Sequence, residues 1–209
     1  MSVIAASLLT LLAPNAPVPD PVSFTVLRQG KPFGTHNVTF RRDGTGLVAD
    51  VKIALSVKIG PLTVFSYSHS CTERWAEQAL QSLNCTTEKD GKTLRLTGLR
   101  TAGEFSLKGA EYSGATGGDV LPSSYWHGFP ASRTAMINSE TGKVLPMTFT
   151  SIGKKTVATS NGGSISADCY ALKSEIELTL CYDAQDRWVW TRFEARGQER
   201  VSGPARKNL

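Results

Sequence analysis

One short segment, "FSYSHSCTERW" at residues 65–75, carries many of the side chains in this chain that could do chemistry. Successive side chains of a β-strand point to opposite faces, so the alternation predicts a strand with one large, mixed face and one small, polar face. Histidine and glutamate among aromatic rings are unusual in an ordinary core. The large face is therefore a candidate binding or catalytic surface, and it consists of Phe65, Tyr67, His69, Cys71, Glu73 and Trp75.

His69 and Glu73 are four residues apart on this strand. They share a face but lie about 13 Å apart along it, so they cannot bond to each other directly. A buried carboxylate is costly unless it is paired, so Glu73 should meet an arginine, a tyrosine hydroxyl or a backbone donor. Two interpretations stay open: Glu73 and Trp75 fix the end of the strand at the mouth of a barrel, or they contact a ligand.

A second candidate is the loop "DVLPSSYWHGFPASRT", which places Tyr125, Trp126, His127 and Phe129 within five residues. Apolar clusters of this size are rarely left in water, so the loop should either plug the barrel or close over a ligand. Ser123 or Ser124 beside His127 could suggest a nucleophile, but no third orienting group is identifiable.

Other chemistries find little support. Nucleotide-loop, hydrolase-elbow and zinc-protease motifs are absent from the sequence, and no cofactor is predicted. A three-histidine metal site would need all of His36, His69 and His127; hydrogen-bonded histidines are the simpler interpretation. The net charge is +5, but Lys and Arg are scattered among Asp and Glu, so no nucleic-acid surface is predicted.

The four cysteines form two similar spacings. Cys71 and Cys85 flank a turn-like segment, and Cys169 and Cys181 flank another. Directly opposed hairpin residues come close enough for a disulfide, so two cross-strand disulfides are predicted. A register slip of one residue would separate either pair, and four buried thiols are the alternative.

The first residues, "MSVIAASLLTLLAPNAPVPDP", contain an apolar run followed by small and Pro-rich positions. This resembles a secretory signal, although no Lys or Arg precedes the run; an N-terminal strand or helix packed on the domain is the alternative. No second apolar stretch could span a membrane. The prediction is a periplasmic or secreted protein with a signal-like segment at 1–20, one domain at 21–203 and a flexible tail at 204–209.

Nearly every segment after residue 20 reads as strand, with turns at Gly, Asp and Asn. Residues 47–59 alternate over an unusually long run, which suits a strongly curved sheet. The segment "PASRTAMIN" is long enough for a short helix beginning near Pro130. The predicted class is mainly β: a single antiparallel meander of about ten strands curled into a barrel or half-barrel, with one short helix or loop insertion.

Several motifs together resemble a family of exported bacterial proteins of unknown function. They are "FTVLRQGKPFGTHNVTF", "FSYSHSCTERW", "LQSLNCTTEKDGK", "LPSSYWH", "MINSETGKVLP" and "LTLCYDAQDRWVWTRFEARGQE". The resemblance covers roughly residues 22–200, and its general plan is similar to lipoprotein-carrier and lipocalin-like half-barrels that hold acyl chains. It implies functional positions at Tyr67, His69, Glu73, Trp75, Tyr125 and Trp126.

Three functional hypotheses follow. The first is a non-catalytic exported protein that binds an apolar or amphipathic small molecule or lipid through Phe65, Tyr67, His69, Glu73, Trp75, Tyr125, Trp126 and His127. The second is an enzyme with His69 or Glu73 as general base and Tyr67 as proton donor. The third is an envelope module that meets a partner protein through the Trp126 loop or an open strand edge.

Overall fold

The structure is a computed structural model that describes residues 17–159, 162–195 and 198–204. Most of the predicted signal-like segment, and residues 205–209 of the predicted tail, lie outside the described residues. The described part contains fifteen strands. They are β1 (Val22–Arg28), β2 (Lys31–Asp43), β3 (Gly46–Ile59), β4 (Leu62–Ala76), β5 (Ala79–Lys89), β6 (Lys92–Thr101), β7 (Glu104–Lys108), β8 (Ser113–Gly117), β9 (Ala135–Ile137), β10 (Val144–Pro146), β11 (Thr148–Ala158), β12 (Ser164–Lys173), β13 (Glu177–Tyr182), β14 (Trp188–Ala195) and β15 (Gln198–Pro204).

Thirteen of these strands form one antiparallel sheet in the order β11-β12-β13-β14-β15-β1-β2-β3-β4-β5-β6-β7-β8. The mainly β, antiparallel class is confirmed. The sheet stays open, because β8 and β11 do not pair with each other within the described residues, so a closed barrel is wrong. More strands are present than the ten expected, partly because β7 and β8 are only five residues each and β9 and β10 only three.

On the inner face of the sheet, residues directly opposite one another on neighbouring strands form rows that run across the strands. Phe24 lies opposite His36, His36 opposite Ile53, Ile53 opposite His69, and His69 opposite Thr87. One row therefore crosses five strands with aromatic, aliphatic and polar side chains side by side. On β4 the exposure alternates as the sequence predicted, and the small even-numbered side chains face outward.

Residues 118–147, here called the crossing segment, lie against this inner face and supply Phe129, Met136 and Ile137 to the main hydrophobic core. The predicted short helix within it is wrong. Instead, β9 pairs with β10, and Pro122 bridges to Ile137. The backbone of β9 forms hydrogen bonds to β10 and not the bonds of a helix. Before β9, Gly128 and Pro130 interrupt regular secondary structure.

Both predicted disulfides are present. Cys71 lies directly opposite Cys85 with their Cα atoms 4.0 Å apart, and Cys169 lies opposite Cys181 at 4.1 Å. The first bridge lies in the main core. The second belongs to a separate small cluster with Val157 and neighbouring residues. The two bridges therefore tie different parts of the sheet.

Candidate functional site

A cavity of about 410 Å³, called cavity 1, lies between the inner face and the crossing segment and is partly open to solvent. Strands β2–β4 supply one wall through His36, Ile53, Leu55, Phe65, Tyr67 and His69. The crossing segment covers it with Ser124, Tyr125 and Met136, and β13 and β14 add Leu178 and Trp188. A volume in this range is typical of small-molecule sites.

Two histidines are among the buried polar groups of cavity 1, together with Ser124, Ser139 and Thr191. The Nδ1 atom of His69 lies 2.8 Å from the hydroxyl of Thr87, while the Nε2 atom of His36 is buried without a hydrogen-bond partner. Burial lowers the pKa of His36 to about 3, and nearby His69 acts in the same direction. Burial also lowers the pKa of His69 to about 4. Both rings are therefore neutral at pH 7.

The polar end of cavity 1 is formed by Tyr67, Lys89 and Glu140. Lys89 Nζ lies 3.4 Å from Glu140 Oε1, and about half of the lysine side chain is exposed. Burial raises the pKa of Tyr67 far above its ordinary value, and the neighbouring Glu140 carboxylate raises it further. The charged groups of this cavity thus lie near solvent, and its depth is uncharged.

Glu73 lies beneath the crossing segment and lines neither cavity 1 nor the second cavity described below. Its side chain is fully buried. The indole N–H of Trp126 donates to Oε2 at 2.9 Å, and that of Trp75 donates to the same oxygen at 3.1 Å. The glutamate therefore fastens the crossing segment to β4.

The protonation of Glu73 reflects this position. Burial raises its pKa to about 7, while the side chains of Trp126, Ser124 and Trp75 act in the opposite direction. Its other oxygen, Oε1, has no hydrogen-bond partner of ordinary geometry. With its pKa near 7, the Glu73 carboxyl group can accept hydrogen bonds on Oε2 and, when protonated, carry the proton on Oε1.

A second cavity, cavity 2, has a volume of about 440 Å³ and lies on the other side of the Glu73 attachment. Its walls are largely aromatic: Trp75, Trp126, Phe129, Phe149, Tyr170 and Tyr182. The crossing segment divides the interior at the bond between Tyr125 and Trp126. Ser123, Ser124 and Tyr125 line cavity 1, whereas Trp126 to Ala131 line cavity 2.

The backbone at that division is held in an unusual conformation. Tyr125 has a φ of 65°, in the left-handed region that costs a non-glycine residue about 1–3 kcal/mol. Its carbonyl oxygen accepts a hydrogen bond from the Tyr182 hydroxyl at 2.7 Å and one from the Gly128 N–H at 3.2 Å. These bonds direct consecutive aromatic side chains into different cavities.

Within the described residues, His127 belongs to no cluster of possible metal ligands. Its ring nitrogens face the carbonyl oxygens of Gly128 and Pro122, so the neutral ring can donate to only one of them. Burial lowers the pKa of His127 to about 4, with the Arg133 charge adding to this effect and the two carbonyls opposing it. The Ser123 hydroxyl bonds to Ser139 rather than to His127.

The predicted site residues are thus divided between two places. Phe65, Tyr67, His69 and Tyr125 line cavity 1; Trp75, Trp126 and His127 line cavity 2; and Glu73 lies in the wall between them. The three histidines do not gather around one point. The possible metal-ligand group formed by His69, Cys71 and Cys85 contains a disulfide, so its thiolates are not available.

Sequence reasoning missed several lining residues. Trp188 and Met136 of cavity 1, and Tyr170 and Tyr182 of cavity 2, come from segments far from residues 65–75. The apolar run in "DRWVWTRF" was a signal of a buried strand, but it did not indicate that Trp188 lines cavity 1 while Trp190 packs in the separate small cluster. No local pattern indicated that Arg133 lines a cavity.

The attachment through Trp126 leads to a first testable prediction. Replacing Trp126 with Phe keeps an aromatic ring but removes the N–H donor, so Glu73 should become harder to ionise. We expect the Glu73 pKa, followed by carboxyl carbon NMR, to rise, and the free energy of unfolding to fall by about 1–3 kcal/mol. Trp190→Phe, in the separate small cluster, is the control and should leave the Glu73 pKa unchanged.

Comparison with known proteins places this chain in a family. Residues 24–202 match the family described as domain of unknown function DUF6134. The chain belongs to the DUF6134 family. A comparison with curated proteins gave no match.

The DUF6134 chain is also similar to a solved structure, the crystal structure of a beta-barrel-like protein of domain of unknown function DUF1849 from Brucella abortus. The TM-score is 0.61 at 8% sequence identity, and the alignment covers 90% of this chain and 96% of the other. At this identity the likeness concerns the fold alone, and it supports a beta-barrel-like architecture.

Proposed function

We propose that this protein binds a neutral apolar or amphipathic small molecule in cavity 1, including lipid-like compounds with an uncharged polar group. The observation that carries the proposal is the cavity itself, about 410 Å³ between the inner face of the sheet and the crossing segment. Its walls combine a larger share of aliphatic and aromatic side chains with a smaller share of polar ones, which is compatible with a site for an amphipathic ligand.

The polar groups select for a ligand without charge at its buried end. His36 and His69 are neutral at pH 7, so neither ring presents a charge to a ligand in cavity 1. A buried carboxylate there would find no compensating charge and would be costly. The ligand should therefore resemble a long-chain alcohol, ketone or ester rather than a fatty acid.

The cellular location that the disulfides indicate is compatible with a protein that binds an apolar ligand. Two disulfides indicate an oxidising environment outside the cytoplasm. In the described residues no helix is long and apolar enough to cross a membrane. We propose a periplasmic or secreted location, in which a protein could carry an apolar molecule through water.

The test compares 1-decanol with decanoate by isothermal titration calorimetry at pH 7. We expect decanol to bind at least ten-fold more tightly than decanoate. Leu55→Trp fills cavity 1 and should abolish decanol binding, whereas Ala54→Trp, on the exposed side of the same strand, should preserve it. Equal binding of decanol by both variants, or no binding to the unmodified protein, would refute the proposal.

The catalytic hypothesis requires an acid or base at an open surface. Glu73 instead lies inside the wall with two indole donors, and His69 bonds to Thr87. Nothing in this arrangement favours turnover over binding. The hypothesis of an envelope partner remains a prediction, for which the open edges at β8 and β11 are candidate surfaces.

A further inference from the structure

Cavity 2 has a different chemistry from cavity 1. Its aromatic side chains form a continuous wall that extends from the crossing segment to β11, β12 and β13. The ring centroids of His127 and Phe129 are 5.1 Å apart, and those of Phe129 and Phe149 are 5.6 Å apart. The Phe149 and Tyr170 rings are stacked, with centroids 4.6 Å apart and an interplanar angle of 11°. Flat rings of this kind offer stacking surfaces to a planar aromatic molecule.

Arg133 adds a permanent positive charge to this cavity. Its Nε atom is buried and has no hydrogen-bond partner, and within the described residues no carboxylate pairs with it. This is unusual, because buried donors are nearly always bonded and a guanidinium prefers a bidentate acceptor. Arg133 also lies close enough to His127 to lower the pKa of that ring.

The carboxylates of cavity 2 do not satisfy this charge. Asp168 bonds to Lys154 at 2.8 Å, and its side chain is 44% exposed. Asp186 is also exposed. Charges in contact with water are screened, and Arg133 is itself half-buried, with its Nε out of contact with water. Beside Arg133, cavity 2 therefore favours a negative group, and its walls favour an aromatic ring.

We propose that cavity 2 is a second ligand site, separate from cavity 1, that takes a planar aromatic carboxylate. The carboxylate accepts hydrogen bonds from the Arg133 guanidinium, and the ring packs among Phe129, Phe149 and Tyr170. This site does not depend on the function proposed for cavity 1, since the two cavities share no lining residue.

The test is a titration of the whole protein with naphthalene-2-carboxylate and with its neutral analogue 2-naphthamide, followed by calorimetry at pH 7. We expect the carboxylate to bind at least ten-fold more tightly than the amide. Arg133→Gln should weaken carboxylate binding at least ten-fold and leave the amide almost unchanged. Arg95→Gln removes one exposed positive charge from β6 and should change neither affinity.

Two further variants locate the site. Ala131→Trp, at an exposed position of the cavity 2 lining, should block both naphthalene compounds, and Leu55→Trp should leave them bound. The proposal is overturned if Arg133→Gln binds the carboxylate like the unmodified protein, if Leu55→Trp abolishes binding, or if no binding occurs at millimolar concentration. Circular dichroism of each variant establishes that it is folded.

Discussion

Acidification from pH 6.5 to pH 5 is expected to lower the free energy of unfolding by roughly 3 kcal/mol through four buried groups. His36, His69 and His127 have folded-state pKa values of about 3, 4 and 4, against 6.5 when unfolded. In this window the unfolded chain binds protons at these histidines and the folded protein does not, so stability falls as the pH falls.

Glu73 acts in the opposite direction. Its pKa rises from 4.5 to about 7 on folding, so its contribution is fully present below pH 4.5 and is lost as the pH rises through 7. Between pH 5 and 6 the folded protein holds one proton at Glu73, while the unfolded chain holds three at the histidines. Unfolding should therefore take up about two protons in that range.

Urea unfolding at a series of pH values measures this balance. Glu73→Gln removes the opposing group, so its stability should decline more steeply, by about one additional proton per unfolding event. His69→Gln should make the decline less steep by the same amount. A free energy of unfolding that is flat between pH 6.5 and pH 5 would contradict the buried, neutral state of the histidines.

The second large effect concerns the disulfide between Cys71 and Cys85. Replacing both with Ala should cost about 2–5 kcal/mol, because the reduced unfolded chain regains the freedom of a loop of 14 residues, and because the sulfur atoms pack in the main core. Alanine is chosen because serine would add unpaired hydroxyl groups in the core.

The pair Cys169 and Cys181 provides the matched comparison. Its sequence separation is 12, but it packs in the separate small cluster. We expect a loss in the same range, and losses that add when all four cysteines are replaced, because the two bridges share no core cluster. Urea unfolding measures both effects. A loss below 1 kcal/mol for Cys71→Ala/Cys85→Ala would show that this bridge contributes little to stability.

The division of the interior changes how the aromatic loop is understood. The loop was expected either to plug the barrel or to cover a ligand. In the structure Trp126 bonds to Glu73 inside the wall, and Tyr125 and Phe129 face separate cavities. The same five residues thus fill part of the interior and form boundaries of the two spaces that remain.

The sequence by itself determined the local features. Alternation fixed which side chains of β4 face inward, the Gly and Asp positions marked the main turns, and the two cysteine spacings predicted directly opposed pairs. All of these depend on backbone geometry over a few residues, where the two-residue period of a strand leaves little choice.

Only the tertiary structure decided where the crossing segment lies. Trp126 meets Glu73 across 53 positions of sequence, and Tyr182 meets Tyr125 across 57. Contacts of this range follow from which arrangement buries the most apolar surface while pairing the buried polar groups, and no local period encodes that outcome. For the same reason the single site expected from residues 65–75 became two cavities, with Glu73 in the wall between them.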